Sequence, residues 1–360
     1  MAKKNLLDLA KSFRQWAIDN QLKERGIDGR DPAGDYDDNL ADSFKIVGTA
    51  AGVLRRKLIS LVAIQRRENK ILVFTTKKIT QAEEKFLPKA FGDVGVAFFH
   101  GGVTTALSVP SGGNGYFQTT AGAYCCGSSI HPARYVGAGT LGALVRDQTG
   151  QIFGLTNNHV TGDCNFSDLN TPILAPGHVD VLPAGVDPFT IGYHAKTLPM
   201  VSGSPDNVDA ISNSDAAIFR IKDPSAVSSM QGVYHDTPTK TMPLMDGMIV
   251  EKVGRTTGHR QGKVLAQVVG FEPCLYNINY LSGGRSLVYF DSPFIVFDHL
   301  GSGKFSEPGD SGSLVSILHD GERRAGGLLY AGNSEGYTFV LPIEPILSNL
   351  AVSLVSGHNL

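Results

Sequence analysis

From about Arg134 onward the chain is a succession of short apolar runs separated by Gly, Pro and Asn, and a helical period returns only over Ile343–Val355. Runs bounded by turn formers are strand signals, and their spacing leaves no room for the helices that a βαβ fold must place between strands. A closed or sandwiched β structure is therefore expected. Composition agrees, because Gly (42) and Pro (18) make up about a sixth of the 360 residues and charged residues only 18%, against roughly 25% in soluble domains. An apolar content of 42% with four Cys excludes a disordered chain and a disulfide-stapled mini-protein.

Upstream the pattern differs. Leu6, Leu9, Ala10, Phe13, Trp16 and Ala17 recur at helical spacing and form one apolar stripe, which either docks on its own chain or serves a regulatory partner or self-association. Gly26–Asp42 breaks that helix, so residues 1–42 read as helix and loop. Residues 43–102 read as a small α+β unit, with strands over Leu58–Gln65 and Lys70–Thr76, a helix near Thr80–Phe91 and a strand over Val94–Phe99. Residues 1–90 hold 18 Lys and Arg against 12 Asp and Glu, and the excess clusters between Arg55 and Lys89. Such runs are ordinarily solvated element ends, and no RNP, helix-turn-helix or zinc-finger pattern points to nucleic acid.

Residues 103–133 fall within the longest stretch without a charged side chain; rich in Gly, Ser and Thr, they read as a linker and are too polar for a membrane span. Residues 134–360 are the β-rich domain. Asp8 and Lys11 interrupt the apolar core a signal peptide needs, and Cys125, Cys126, Cys164 and Cys274 lack zinc spacing. The expectation is a cytoplasmic protein with reduced thiols, no metal, no cofactor and no membrane contact.

Three motifs in the β-rich region stand in the order His, Asp, Ser. In Phe153-Gly-Leu-Thr-Asn-Asn-His159-Val an apolar strand runs into a polar turn, which puts an imidazole at a strand end as general base and then acid. In Ser212-Asn-Ser-Asp215-Ala-Ala-Ile-Phe an acid directly precedes a buried strand, the desolvated setting an orienting carboxylate needs. Asp209, in Asn207-Val-Asp209-Ala-Ile, is the rival, although only Asp215 leads into a sustained apolar run. The third motif, Pro308-Gly309-Asp310-Ser311-Gly312-Ser313, allows the Gly309 and Ser311 N–H groups to face a developing oxyanion while the serine Oγ faces substrate. Asp310 is expected to turn inward and brace the loop.

On these motifs the sequence resembles the chymotrypsin-like (trypsin-fold) serine peptidases. It is most similar to the bacterial intracellular trypsin-like and plant narrow-leaf branch through Gly139-Thr-Leu-Gly-Ala-Leu-Val145, Val253-Gly-Arg-Thr-Thr-Gly258 with Gly262-Lys-Val, and Gly327-Leu-Leu-Tyr-Ala-Gly332. The resemblance covers about residues 130–350. It implies two six-stranded barrels, His159 and Asp215 on the first, Ser311 on the second, and a protein or peptide substrate. It also implies an S1 wall from Phe305, Tyr330, Ala331 and Gly332, with Phe305 standing where trypsin-like specificity would need Asp; a small or apolar P1 residue is expected.

The sequence also departs from relatives. The Ile-Val-Gly-Gly start of cleavage-activated members has only faint counterparts at Arg134-Tyr-Val-Gly137 and Lys45-Ile-Val-Gly48, and the 49 residues after Ser311 leave no space for a PDZ domain. An α/β-hydrolase would need Asp and then His after the serine, where only Asp320, His319 and His358 follow. The alternative to a peptidase is a catalytically silent trypsin-fold binding module. An intermediate reading keeps the site latent until the N-terminal part meets a partner.

Overall fold

The computed structural model describes residues 5–23, 44, 46–101, 104–106, 117–181, 187–278, 284–301 and 303–360; the Gly26–Asp42 breaker and residues 103 and 107–116 of the expected linker lie outside them. Helix α1 (Leu6–Asp19) starts at Asn5, whose side chain accepts the Leu7 N–H. Its stripe of Leu9, Ala10, Phe13 and Ala17 is buried on the chain itself, against helix α2 (Gly48–Lys57), β1 (Ile59–Gln65) and β2 (Lys70–Thr75). The face proposed for a partner is thus already covered. Phe13, Trp16, Phe44 and Phe91 form one aromatic cluster there.

The expected helix over Thr80–Phe91 is only α3 (Gln81–Glu84). The Thr80–Glu83 capping box starts it, but Pro88 follows closely, and the chain enters β3 (Ala90–Phe91) and β4 (Val94–His100) instead. The basic run is explained locally: Arg55, Arg56 and Lys57 end α2, where cations suit the helix C-terminus, and Arg56 and Lys57 pair with Glu83.

The expected linker holds strands: β5 (Thr104–Thr105), β6 (Tyr124–Cys126) and β7 (Ser129–Pro132). Both β6 and β7 are buried along their whole length, so the missing charge reflects burial on two faces rather than flexibility. There follow β8 (Gly139–Thr140), β9 (Ala143–Arg146), β10 (Ile152–Thr156), helix α4 (Asn158–Thr161), β11 (Pro172–Ala175), β12 (Phe189–Thr197), β13 (Ala217–Ile221), β14 (Val227–Gln231) and β15 (His235–Asp236). Then come β16 (Ile249–Gly254), β17 (Gly258–Val268), β18 (Phe271–Ile278), β19 (Gly284–Asp291), β20 (Phe294–Asp298), β21 (Leu314–His319), β22 (Glu322–Gly332) and β23 (Thr338–Pro342). A helix over Ile343–Leu350 and β24 (Ser353–Leu354) end the chain order.

Strands β16, β17, β20, β23, β22 and β21 pair in that order and β21 returns to β16, which closes a six-stranded barrel. Val250, Val264, Val296, Phe305, Val315 and Leu329 fill it. The other half departs from the implied second barrel. It is a curled eight-stranded sheet, β24-β9-β10-β13-β12-β11-β7-β8, left open because its two-residue outer strands form no ladder with each other among the described residues. Barrel and sheet share a core in which Val145, Leu155 and Ile218 meet Leu314, Leu328 and Ile346. The protein is therefore mainly β, a barrel beside a curled sheet with a small α+β unit in front. That unit joins the barrel directly, since β1 pairs with β17 at Ala63↔Val268 and Ile64↔Gln267. No helix among the described residues is long and apolar enough to cross a membrane.

Candidate active site

Antiparallel register builds the His–Asp pair. Thr156, the last residue of β10, lies opposite Ala217, the first of β13. The chain just after one strand therefore meets the chain just before the other, and His159 in α4 reaches Asp215. The His159 N–H donates to Asp215 Oδ1 at 3.0 Å, and Nδ1 stands 2.5 Å from Oδ2. With a carboxylate on that side, Nδ1 carries the proton and the Nε2 lone pair is left for chemistry. Asn157 Nδ2 donates to the Asp215 carbonyl at 2.6 Å.

A residue that none of the sequence motifs contains completes this group. Tyr276 of β18, fully buried, donates its hydroxyl to Asp215 Oδ2 at 2.9 Å. Burial, reinforced by the Asp215 charge, pushes the phenol well above its usual range and keeps it a donor. The only signal in the sequence is a Tyr within an apolar strand, which marks no role.

Ser311 sits in the loop before β21. Its neighbour Gly312 adopts φ +93°, and a Cβ there would lie 2.3 Å from Thr156 Oγ1 and 2.5 Å from the Thr140 carbonyl, so only glycine fits. Gly142 serves the same contact from the sheet side, where a Cβ would meet the Gly312 oxygen at 1.9 Å. Hydrogen bonds fasten the loop to both halves of the fold: Thr140 N–H to Ser311 O at 2.9 Å, Thr140 Oγ1 to Gly309 O at 2.8 Å, and Gly312 N–H to Leu329 O at 2.9 Å. These bonds hold the serine loop and the strand leading to His159 at one seam.

Asp310 does turn inward. Its Oδ1 accepts the Thr256 and Thr257 N–H groups at 2.8 and 3.1 Å, while Oδ2 accepts the Thr257 hydroxyl at 2.7 Å and the Glu307 N–H at 3.0 Å. Lys252 Nζ stands 3.0 Å from Oδ2, both side chains being wholly buried. Burial lowers the Lys252 pKa and Asp310 opposes that shift. The Val253–Gly258 motif thereby gains a role: its threonines grip Asp310, and Arg255, also buried, pairs with Asp180 through two nitrogens. Among the described residues the N–H groups of Gly309 and Ser311 have no hydrogen-bond partner, which leaves both available to an oxyanion. Ser311 Oγ lies 3.4 Å from the Tyr330 carbonyl, and no hydrogen bond joins it to His159 among the described residues.

The remaining sequence candidates separate clearly. Asp209 is exposed and caps its own turn by accepting the Ile211 N–H at 3.2 Å, away from His159. Phe305 is no pocket wall; it is fully buried inside the closed barrel. Tyr330 turns its ring into the core against Phe290, with centroids 4.8 Å apart, and offers only main chain to the serine. Ala331 and Gly332 continue that strand, and Gly332 lies opposite Thr105. The four cysteines are buried free thiols.

No family model matches the chain. The rice (Oryza sativa subsp. japonica) Protein NARROW LEAF 1 is 27% identical over 234 residues, which cover 58% of this chain and 37% of that protein's length. Among solved structures, Thermobifida fusca protease A gives a TM-score of 0.41 at 19% identity, covering 65% of this chain and 98% of that one. Nocardiopsis protease gives 0.39 at 18%, covering 63% and 95%. Cellulomonas bogoriensis chymotrypsin gives 0.40 at 15%, covering 64% and 98%. These structure neighbours are serine proteases, and the chain is similar to them at low identity.

Proposed function

We propose that the chain is a serine endopeptidase that cleaves protein or peptide substrates through an acyl-enzyme on Ser311. In this reading His159 Nε2 takes the Oγ proton as Oγ attacks the scissile carbonyl, and the tetrahedral oxyanion is received by the Gly309 and Ser311 N–H groups. The imidazolium then gives its proton to the leaving amine, and water admitted to the same position hydrolyses the ester with His159 again as base. Asp215 holds the imidazole tautomer and its transient charge.

The observation that carries the reading is the His159–Asp215 pair, 2.5 Å apart and oriented by a second bond to the His159 N–H. A structural aspartate would not require an imidazole at its second oxygen while the neighbouring loop leaves two N–H groups unused. A fluorophosphonate probe tests it. Labelling of the full chain that disappears in Ser311→Ala and His159→Ala is expected; absence of labelling under all conditions would instead favour a silent binding module.

A further inference from the structure

The edge of β22 beside Ser311 already has an occupant. On one side of Ala331 and Gly332 runs β23, paired at Ala331↔Phe339 and Gly332↔Thr338. On the other side the β21 ladder reaches only Leu328, with the Ser311 loop bonding Leu329. From Tyr330 to Gly332 that second edge is an acceptor for an added strand. A peptide laid antiparallel on it pairs at Gly332, passes Ala331 and delivers a carbonyl to Ser311 Oγ beside the Tyr330 oxygen. Thr105 pairs there instead, antiparallel, opposite Gly332. The Ala106 N–H is given to Leu275 O at 3.1 Å on the β18 side, so strand alternation turns the Thr105 N–H and C=O toward Gly332.

We propose that β5 is a resident competitor for the peptide-acceptor edge, and that substrate must displace it before an extended chain can reach Ser311. This deepens the peptidase reading and rests on it. The antiparallel polarity carries the chain from Thr105 through Ala106 back toward Ala331, the course a substrate takes. β5 is tied upstream to the α+β unit, because Ser60 Oγ donates to Gly101 O at 2.6 Å and the Gly101 N–H to Thr75 O at 3.1 Å. Its side-chain anchor is the buried Thr104 hydroxyl, which donates to Glu272 at 2.5 Å. β5 holds one register position on β22 and two on β18, and none of these pairings belongs to the closed six-strand ring, so its release leaves the ladders of the barrel intact.

Thr105→Pro removes the N–H facing Gly332 at a position where extended backbone tolerates proline. The test compares kcat/KM for a peptide with four residues before the scissile bond, hydrolysis of a small activated ester that needs no strand pairing, and the rate of fluorophosphonate labelling. Expected is a rise of about tenfold for the peptide, the scale of one or two main-chain hydrogen bonds, with ester hydrolysis and labelling unchanged. Thr104→Val, which loosens the same strand through its anchor, should shift the peptide in the same direction and carries the test if the proline variant fails to fold. Peptide kcat/KM unchanged or lower in both, with normal ester hydrolysis, overturns the proposal alone. Absence of labelling and ester hydrolysis in wild type and both variants removes the peptidase reading and the proposal with it.

Discussion

Two short segments at the rim of the closed barrel are each tied to a buried carboxylate, and the ties differ in kind. Asp310, in the loop that carries Ser311, faces the Lys252 ammonium and fills both oxygens with backbone and hydroxyl donors. Glu272, which holds β5 through Thr104, is also buried, but there desolvation outweighs the Thr104 hydroxyl and the Lys23 and Arg14 charges, and its pKa is pushed up to about 7. A buried carboxylate fixes a segment when the cations and donors around it outweigh desolvation; where desolvation wins, burial favours the neutral acid and the tie is weaker. The first arrangement suits the role proposed for Ser311, a nucleophile held in place, and the second the role proposed for β5, a strand that is displaced.

The largest effect should come from a third buried carboxylate, which sets the scale for the other two. Asp215→Asn keeps the shape but offers His159 the wrong partner, and kcat on a peptide substrate should fall about 10⁴-fold, whereas Asp209→Asn should leave it unchanged. Equal losses in both variants would break the assignment. Lys252→Met strips Asp310 of its cation where both side chains are wholly buried, and should cost about 3–5 kcal/mol of stability, read as a lower denaturant midpoint. An unchanged midpoint would mean that the hydrogen bonds alone hold the loop, which removes the contrast with Glu272.

The smallest effect is one of pH. The Glu272 pKa is raised from 4.5 to about 7 on folding, so the folded state binds that proton more tightly than the unfolded one. Its favourable contribution is complete below about pH 4.5 and is lost as pH rises through about 7. Melting temperatures of wild type and Glu272→Gln measured between these limits should converge on the acid side and separate toward neutrality, with the Gln variant the less pH-sensitive. Parallel curves would contradict a raised Glu272 pKa.

Much of the site was legible because its chemistry sits where strands end. His159 and Asp215 announce themselves by apolar strands beside polar turns, and Asp310 by its place between the glycines of the serine loop. Lys252 and Tyr276 were not legible. Lys252 stands beside Glu251 in a short strand and Tyr276 within a mostly apolar one, and nothing local says which lysine or tyrosine the fold will bury against an acid. Residues 124–132 misled for a related reason: absence of charge signals burial as readily as flexibility, and only strand pairing separates the two. The open edge of the curled sheet and the register of Thr105 on Gly332 arise from contacts between residues far apart in sequence, which no local pattern contains. The mainly β class, by contrast, followed from turn spacing and the missing helical period, whereas the double barrel came from the resemblance, and only one of its halves is closed.

The most direct measurement is of the covalent intermediate. The protein is mixed with an activated ester of an N-acylated amino acid, quenched in acid within the first turnover, and its peptides are mapped by mass spectrometry. An acyl group on Ser311 that is missing from His159→Ala is the result expected from the geometry of the site. An adduct on another residue, or none in a folded protein, would contradict it.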